Sequence, residues 1–308
     1  MENFKLLIHI GYPKTASTWL QKTIFNDPKV GFISPWGSPS GLAVNQFITT
    51  NSFRFCPEST YKIFEPGLQA ATEQQLTAVL SQEMLSGDQI AGKYWGKEVA
   101  DRLNAVFPSA LVLIIIREQK SMVLSSYGQY IRNGGEQSIE EFIGADNPPP
   151  GFTPICRLDY LEYDLLISYY HKLFGRDRVF VLPFEELKNN PANFIKKILN
   201  FVDIKDQIIE FQKANNVNYK GFTLAIMRNL NNFLPPPDFS GKPHPLIWRL
   251  NWKVLDTIDQ LLPSSIQHKE ELRLKQFIAD YIDDKFAESN QRTNELIGID
   301  LGKFGYRL

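Results

Sequence analysis

The apolar run FKLLIHI at 4–10 passes without a break into GYPKTASTWLQ at 11–21. A strand leads into a turn holding Gly11 and Pro13, then Lys14, then small and hydroxylated residues, then a helical pattern. Such a turn leaves backbone N–H groups unpaired at a helix N-terminus, where an anion is readily held. Thr15, Ser17 and Thr18 add hydroxyl donors, and Lys14 adds a mobile point charge. A junction of this kind belongs at the C-terminal edge of a parallel sheet.

The rest of the chain supplies that sheet. ALVLIII at 110–116 and RVFVL at 178–182 read as further buried parallel strands, and LTAVLS at 76–81 as a weaker one. Helical patterns lie between them at 18–26, 95–106, 119–132 and 157–174, and a fifth at 191–202 opens with Pro191 after Asn190. The expected fold class is α/β, a parallel β-sheet flanked by helices, with ligands at the strand C-termini. The remainder reads as helical at 222–233, 246–262 and 263–288. PPPG at 148–151 and PPPDFSGKPHP at 235–245 read as surface loops. Residues 31–57, rich in Gly, Ser, Pro and aromatics, read as a flap over the site. One domain spans 1–308, with a core of about 4–205 and a helical C-terminal extension of about 206–308.

Composition narrows the function. Apolar residues make up 43% and charged residues 22%, which is a folding composition. A net charge of −1 gives no bulk attraction for nucleic acid, so any anion site is a local pocket. Two cysteines, Cys56 and Cys156, form no CxxC pair and point to a reducing, cytoplasmic setting. His9, His171, His244 and His268 show no metal-ligand spacing, and His9 reads as a core residue. No signal peptide or transmembrane segment is expected.

The loop departs from the nucleotide pattern GxxxxGK followed by Ser or Thr. Gly11 is followed by Ala16-Ser17-Thr18 with the lysine displaced to the front of the cradle. The strand at 110–116 ends in Arg117, where an NTPase usually carries a carboxylate for Mg²⁺. An arginine there attracts a phosphate, which its planar fork grips with two hydrogen bonds. Ser125 follows eight residues later. The two signals together imply a ligand with two separated anionic groups and no required metal.

These residues resemble the sulfotransferase family. YPKTASTWL at 12–20 is similar to the family's phosphosulfate loop, roughly YPKSGTTWL, with Ala16 in place of glycine. REQKSMVLS at 117–125 resembles its 3′-phosphate motif, and residues 163–190 its helix, strand and acidic turn, where Glu185 and Glu186 fall. The resemblance covers about residues 5–205. It implies the P-loop NTPase-like sulfotransferase fold and the donor 3′-phosphoadenosine 5′-phosphosulfate (PAPS), leaving 3′-phosphoadenosine 5′-phosphate (PAP) as product. By the match Lys14 contacts the bridging oxygen. Thr15, Ala16, Ser17 and Thr18 line the 5′-phosphate, and Arg117 and Ser125 hold the 3′-phosphate. Trp19 and Tyr163 fall where the family places aromatic contacts to adenine, with helix and core packing as the other reading. The family's C-terminal phosphate segment is replaced at best by Lys220 and Gly221, or by Arg228.

Sulfuryl transfer to an alcohol needs a general base at the acceptor oxygen. Cytosolic members carry a histidine after the second strand. Here VLSQEML at 79–85 puts Glu83 at that position, as in carbohydrate and tyrosyl-protein sulfotransferases. The other reading of Glu83 is a solvated helix-start residue. The resemblance thus implies a small-molecule or carbohydrate acceptor, such as a sugar or glycolipid, with Lys14 and Glu83 as catalytic residues. A small-molecule kinase and a non-catalytic nucleotide-binding module are the alternatives.

Overall fold

A computed structural model of the chain describes residues 4–146, 149–205, 221–231 and 264–308. The strands are Leu6–His9 (β1), Phe32–Ile33 (β2), Thr77–Ser81 (β3), Leu111–Ile116 (β4) and Val179–Pro183 (β5). They form one sheet in the order β2-β3-β1-β4-β5, with every pairing parallel. β1 is central, and the chain builds outward on either side of it. That reversal of strand order opens a crevice at the C-terminal end of β1, where ligands of open α/β sheets bind.

The unbroken apolar strands follow from burial on both faces. Leu7 and Ile8 are both 0% exposed although their side chains point to opposite sides. The Leu7 face, with Val79, Leu113 and Ile115, packs on helix Ser17–Thr23 (α1) and, further along, on Pro191–Phe201. The Ile8 face, with Leu80, Ile114 and Ile116, packs on the helices Gly96–Val106, Gln119–Arg132 and Tyr163–Phe174. In chain order the remaining labels are α2 (Gly41–Ala43), α3 (Pro57–Glu73), α4 (Gly96–Val106), α5 (Gln119–Arg132), α6 (Ile139–Ile143) and α7 (Tyr163–Phe174). After β5 come α8 (Phe184–Asn189), α9 (Pro191–Phe201), α10 (Gly221–Asn231), α11 (Ser264–Ile282) and α12 (Ala287–Ile297).

Three differences from the sequence reading have local causes. Residues 31–57 are a packed wall and not a flap. They hold β2, α2 and a π-helical turn, Val44–Thr49. They lie on α3, a helix the pattern concealed because Pro66 and Gly67 interrupt it. Gly67 is needed there: a Cβ would lie 2.4 Å from Trp36 Nε1. Trp36 and Phe47 then reach Phe64 at ring-centroid distances of 5.2 and 5.5 Å. The pattern at 157–174 divides into a 3₁₀ turn, Leu158–Leu161, and α7. The pattern at 263–288 divides where Asp283 takes φ 30°, ending α11 before α12 begins. The helix expected at 246–262 and the loop at 235–245 lie outside the described residues. Among the described residues no helix is long and apolar enough to cross a membrane.

His9 ends β1 as a fully buried polar group. It is paired in register with Ser81 of β3, and its Nδ1 lies 2.8 Å from Ser81 Oγ. Burial holds the imidazole neutral by lowering its pKa to about 3 from 6.5. The unfolded chain therefore binds a proton below pH 6.5 that the folded chain refuses. The stability His9 contributes is complete above that pH and is lost as pH falls from 6.5 toward 3. Between pH 7.5 and 5.5 the wild type should lose about 1.3 kcal/mol more than His9→Asn. Urea unfolding of both proteins at the two pH values measures this, and equal losses would exclude a neutral buried His9.

Candidate active site

The backbone after β1 stays attached to β4 through Ile10 N–H to the Leu113 carbonyl (3.1 Å) and Tyr12 N–H to the Ile115 carbonyl (3.3 Å). It then turns sharply. Lys14 and Ala16 both take left-handed conformations, at φ 69° and 66°, and α1 begins at Ser17. Alternating backbone handedness of this kind turns N–H groups toward one concavity suited to an anion. It also explains why related loops carry glycine at the position of Ala16, since a Cβ there costs about 1 kcal/mol. Strain of this sort persists where surrounding structure holds it, and it marks functional loops. Thr15 is buried and its hydroxyl donates to the Tyr12 carbonyl (2.6 Å), so its side chain shapes the loop.

Arg117, at the tip of β4, ties the second strand end to this loop. Its Nη1 donates to the Lys14 carbonyl (2.9 Å) and its Nε to Ser121 Oγ (3.2 Å). Its guanidinium lies 5.1 Å from the Phe184 ring centroid. Lys14 Nζ donates to Gln129 Oε1 on α5 (3.3 Å). Burial lowers the Lys14 ammonium below its ordinary pKa, and the nearby positive charges of Arg132 and Arg117 add to the effect. Burial likewise lowers Arg117. Lys188 of α8 sits over the same Phe184 ring at 4.7 Å and is lowered by burial and by Arg117. Lys14, Arg117 and Lys188 are thus three neighbouring cations whose charged forms burial disfavours.

The carboxylates nearby are committed to structure. Glu118 caps α5, accepting the Lys120 and Ser121 N–H groups at 2.8 Å each. Glu185 accepts the Glu118 N–H (3.1 Å) and the Tyr306 hydroxyl (3.2 Å), and burial raises its pKa.

Among the described residues four buried hydroxyls, those of Ser17, Ser38, Ser125 and Tyr170, have no hydrogen-bond partner, and two of them sit on the helices that follow β1 and β4. Ser17 Oγ on α1 and Ser125 Oγ on α5 are shielded from water without a hydrogen-bond partner. Thr18 is exposed, and Trp19 is half-buried against the apolar cluster under α1. Tyr163 is fully buried, edge-on to Tyr12 at 4.9 Å, with its hydroxyl on the Arg117 carbonyl (2.5 Å). It braces the loop against β4 and presents no free face. Lys220 lies outside the described residues, and Gly221 opens α10, which packs on α5.

Glu83 begins a 3₁₀ turn, Glu83–Ser86, just past β3. It is half-buried, and its Oε2 accepts a hydrogen bond from Gln21 Nε2 of α1 (3.2 Å). α1 therefore links the loop at its start to Glu83 one turn along. Beside Tyr12 and Ser86 lies a cavity of about 310 Å³ between the N-terminus of α4 and α7, with Tyr160, Glu162, Leu166 and Tyr170 in its wall. Sequence reasoning missed Gln21, Gln129, Arg132 and Lys188, because their relevance comes from three-dimensional approach and no spacing announces it.

A family model described as the Sulfotransferase family matches residues 7–207. No curated protein matches the chain significantly. A crystal structure of a sulfotransferase from Alicyclobacillus acidocaldarius is similar at a TM-score of 0.57 and 16% identity, covering 99% of this chain and 100% of that one. A mouse sulfotransferase complexed with PAP is similar at a TM-score of 0.34 and 14% identity, covering 91% and 90% of the two chains. The Mycobacterium avium sulfotransferase STF9 is similar at 0.37 and 15%, covering 92% and 77%. The family match runs from β1 through α9 and contains both the Lys14 loop and Arg117, and the chain belongs to the sulfotransferase family.

Proposed function

We propose that this protein transfers a sulfuryl group from PAPS to the hydroxyl of a carbohydrate or glycolipid, with Glu83 as general base. The observation that carries the donor is the pair of shielded, unpartnered hydroxyls, Ser17 Oγ and Ser125 Oγ. They belong to α1 and α5, the two helices whose leading ends are tied together by the Arg117–Lys14 contact. Buried hydroxyls without partners are costly, and a bound anion on each would satisfy them. The buried cations Lys14 and Arg117, joined through the Lys14 carbonyl, support the same kind of ligand.

PAPS supplies the sulfuryl group on a phosphosulfate anhydride. The loop N–H groups and Ser17 would hold its 5′-phosphate, and Arg117 with Ser125 its 3′-phosphate. Glu83 takes the proton from the acceptor hydroxyl as that oxygen bonds to sulfur. The bond from sulfur to the 5′-phosphate oxygen breaks, and Lys14 stabilises the charge left there. Arg117 occupies the place of a metal-binding carboxylate, which favours this reading over a kinase. For the acceptor, the cavity beside Tyr12 offers the aromatic side chains of Tyr160 and Tyr169 together with Glu162, while Asp159 in the same wall is paired with Arg157. Aromatic side chains for C–H surfaces and a carboxylate for hydroxyls suit a sugar. Cys56 and Cys156 are unpaired, in keeping with a cytoplasmic setting.

Radiolabelled PAPS offered with a panel of glycosides and glycolipids tests the activity directly. Label should move to a sugar, and phosphorylation from ATP and Mg²⁺ instead would overturn the assignment. PAP should bind roughly 30- to 1,000-fold more tightly than AMP, because Arg117 and Ser125 address only the 3′-phosphate. Calorimetry giving equal affinities would remove that role.

Lys14→Ala and Glu83→Gln should each lower turnover by about 10²-fold or more. PAP affinity should hold within a few-fold in Glu83→Gln. A Glu83→Gln enzyme with more than about a tenth of wild-type turnover would move the base elsewhere.

Ser17→Ala and Ser125→Ala should separate binding from folding. Neither removes a hydrogen bond from the free protein, so unfolding free energy should stay level or rise. PAP affinity should fall by about tenfold in each. AMP affinity should fall only in Ser17→Ala. Loss of stability with unchanged PAP affinity would make the two serines ordinary packing groups.

A further inference from the structure

Behind Glu83 runs a chain of buried polar groups that the proposed chemistry has not used. Gln21 Nε2 lies 3.2 Å from Glu83 Oε2 and 3.1 Å from Ser81 Oγ. Ser81 Oγ lies 2.8 Å from His9 Nδ1. Gln21 is 3% exposed, and Ser81 and His9 are 0%.

Three features of the fold bring these groups into line. His9 and Ser81 are register partners on neighbouring strands, so their side chains stand side by side. Gln82 continues β3 in an extended conformation, which points Ser81 and Glu83 to the same side. Gln21 sits one helical turn after Ser17 on the face of α1 turned to the sheet.

The direction of each hydrogen bond follows from chemistry. A carboxylate only accepts, so the Gln21 nitrogen and not its oxygen faces Glu83. The second amide proton of Gln21 then goes to Ser81 Oγ. The Ser81 proton is left for His9 Nδ1, which assigns His9 the tautomer protonated at Nε2. The reverse arrangement would strand two buried groups, the Ser81 proton and the Nε2 lone pair. This one strands only the Nε2 proton, and Nε2 has no partner in the structure. Burial keeps His9 neutral, so the chain does not reverse near neutral pH. His9 Nε2 lies under the loop, where a Cβ on Gly11 would approach it to 2.8 Å.

We propose that Gln21 is the positioning residue for Glu83, anchored through Ser81 to His9, so that the helix carrying Ser17 also aims the carboxylate at the acceptor. This rests on Glu83 being the base. Gln21 touches no reacting atom. One of its two protons fixes the carboxylate oxygen that faces it, leaving the other oxygen for the acceptor. The anchor at Ser81 keeps the amide from rotating, so the oxygen stays in place between turnovers.

The test uses release of PAP from PAPS with water as the attacking hydroxyl, which needs no identified acceptor. Gln21→Met, Glu83→Gln and the double variant are compared in rate, PAP affinity by calorimetry and unfolding free energy. Gln21→Met should slow PAP release by about tenfold or more while PAP affinity stays within twofold. In the Glu83→Gln background the same change should cost less than twofold, because the group it acts through is already gone. A merely structural role would lower the rate by the same factor in both backgrounds, and that result would overturn the inference. Full activity in Gln21→Met beside a collapsed Glu83→Gln would overturn it alone. Glu83→Gln at the wild-type rate would overturn the base assignment and this inference with it. If Gln21→Met does not fold, Ser81→Ala removes the anchor in a site that keeps its shape. It should then show a several-fold slowing and the same non-additivity with Glu83→Gln.

Discussion

The hydrogen bond from Arg117 to the Lys14 carbonyl, 2.9 Å long, joins the ends of the two central strands. It sets a guanidinium beside a strained loop that carries its own ammonium. Neither cation is neutralised by that contact, because a carbonyl is a dipole and not a counter-charge. The free protein therefore holds Lys14, Arg117 and Lys188 at the expense of desolvation. Such an arrangement is stable only if the surrounding framework prevents the side chains from turning to water. Tyr163, fully buried against Tyr12 and hydrogen-bonded to the Arg117 carbonyl, is part of that framework.

The C-terminal segment supplies more of it. Asn290 of α12 accepts from Gln119 at the start of α5 (2.7 Å), and Tyr306 donates to Glu185 (3.2 Å). Arg292 pairs with Asp164 of α7 (2.6 Å). These residues lie beyond the stretch that matches the family, which ends at 207. They nevertheless clamp the N-termini of α5 and α7 on either side of the Arg117 backbone. Glu185, Glu118 and Tyr306 thus hold backbone and helix ends in place beside the cations.

On the other side of β1 the wall at 31–57 closes the edge of β3. The Ser40 N–H reaches the Ser81 carbonyl (3.0 Å), and Gln82 Nε2 reaches the Ser40 carbonyl (3.4 Å). Glu83 thus leaves a strand end held from two directions, by the wall through backbone and by α1 through Gln21. A carboxylate at the start of a turn tethered in this way has little freedom to swing.

The sequence by itself determined the strands β1, β3, β4 and β5, the helix starts after β1 and β4, and the pairing of a lysine loop with an arginine strand end. Each is a local signal: an apolar run long enough for a strand, a turn residue at a fixed offset, a hydroxyl eight residues from Arg117. Ala16 was legible only as a departure from a pattern, and its φ of 66° supplies the reason the pattern prefers glycine. Tertiary structure alone decided the rest. β2 has two residues and depends on β3 for its existence, and α3 forms across Pro66 because Trp36 and Phe47 pack on Phe64. Gln21, Arg132 and Lys188 acquire their place from the register of β1 with β3 and the approach of α5 and α8 to the loop. Such contacts join residues far apart in the chain, and nothing in the local spacing of side chains encodes which of them will meet.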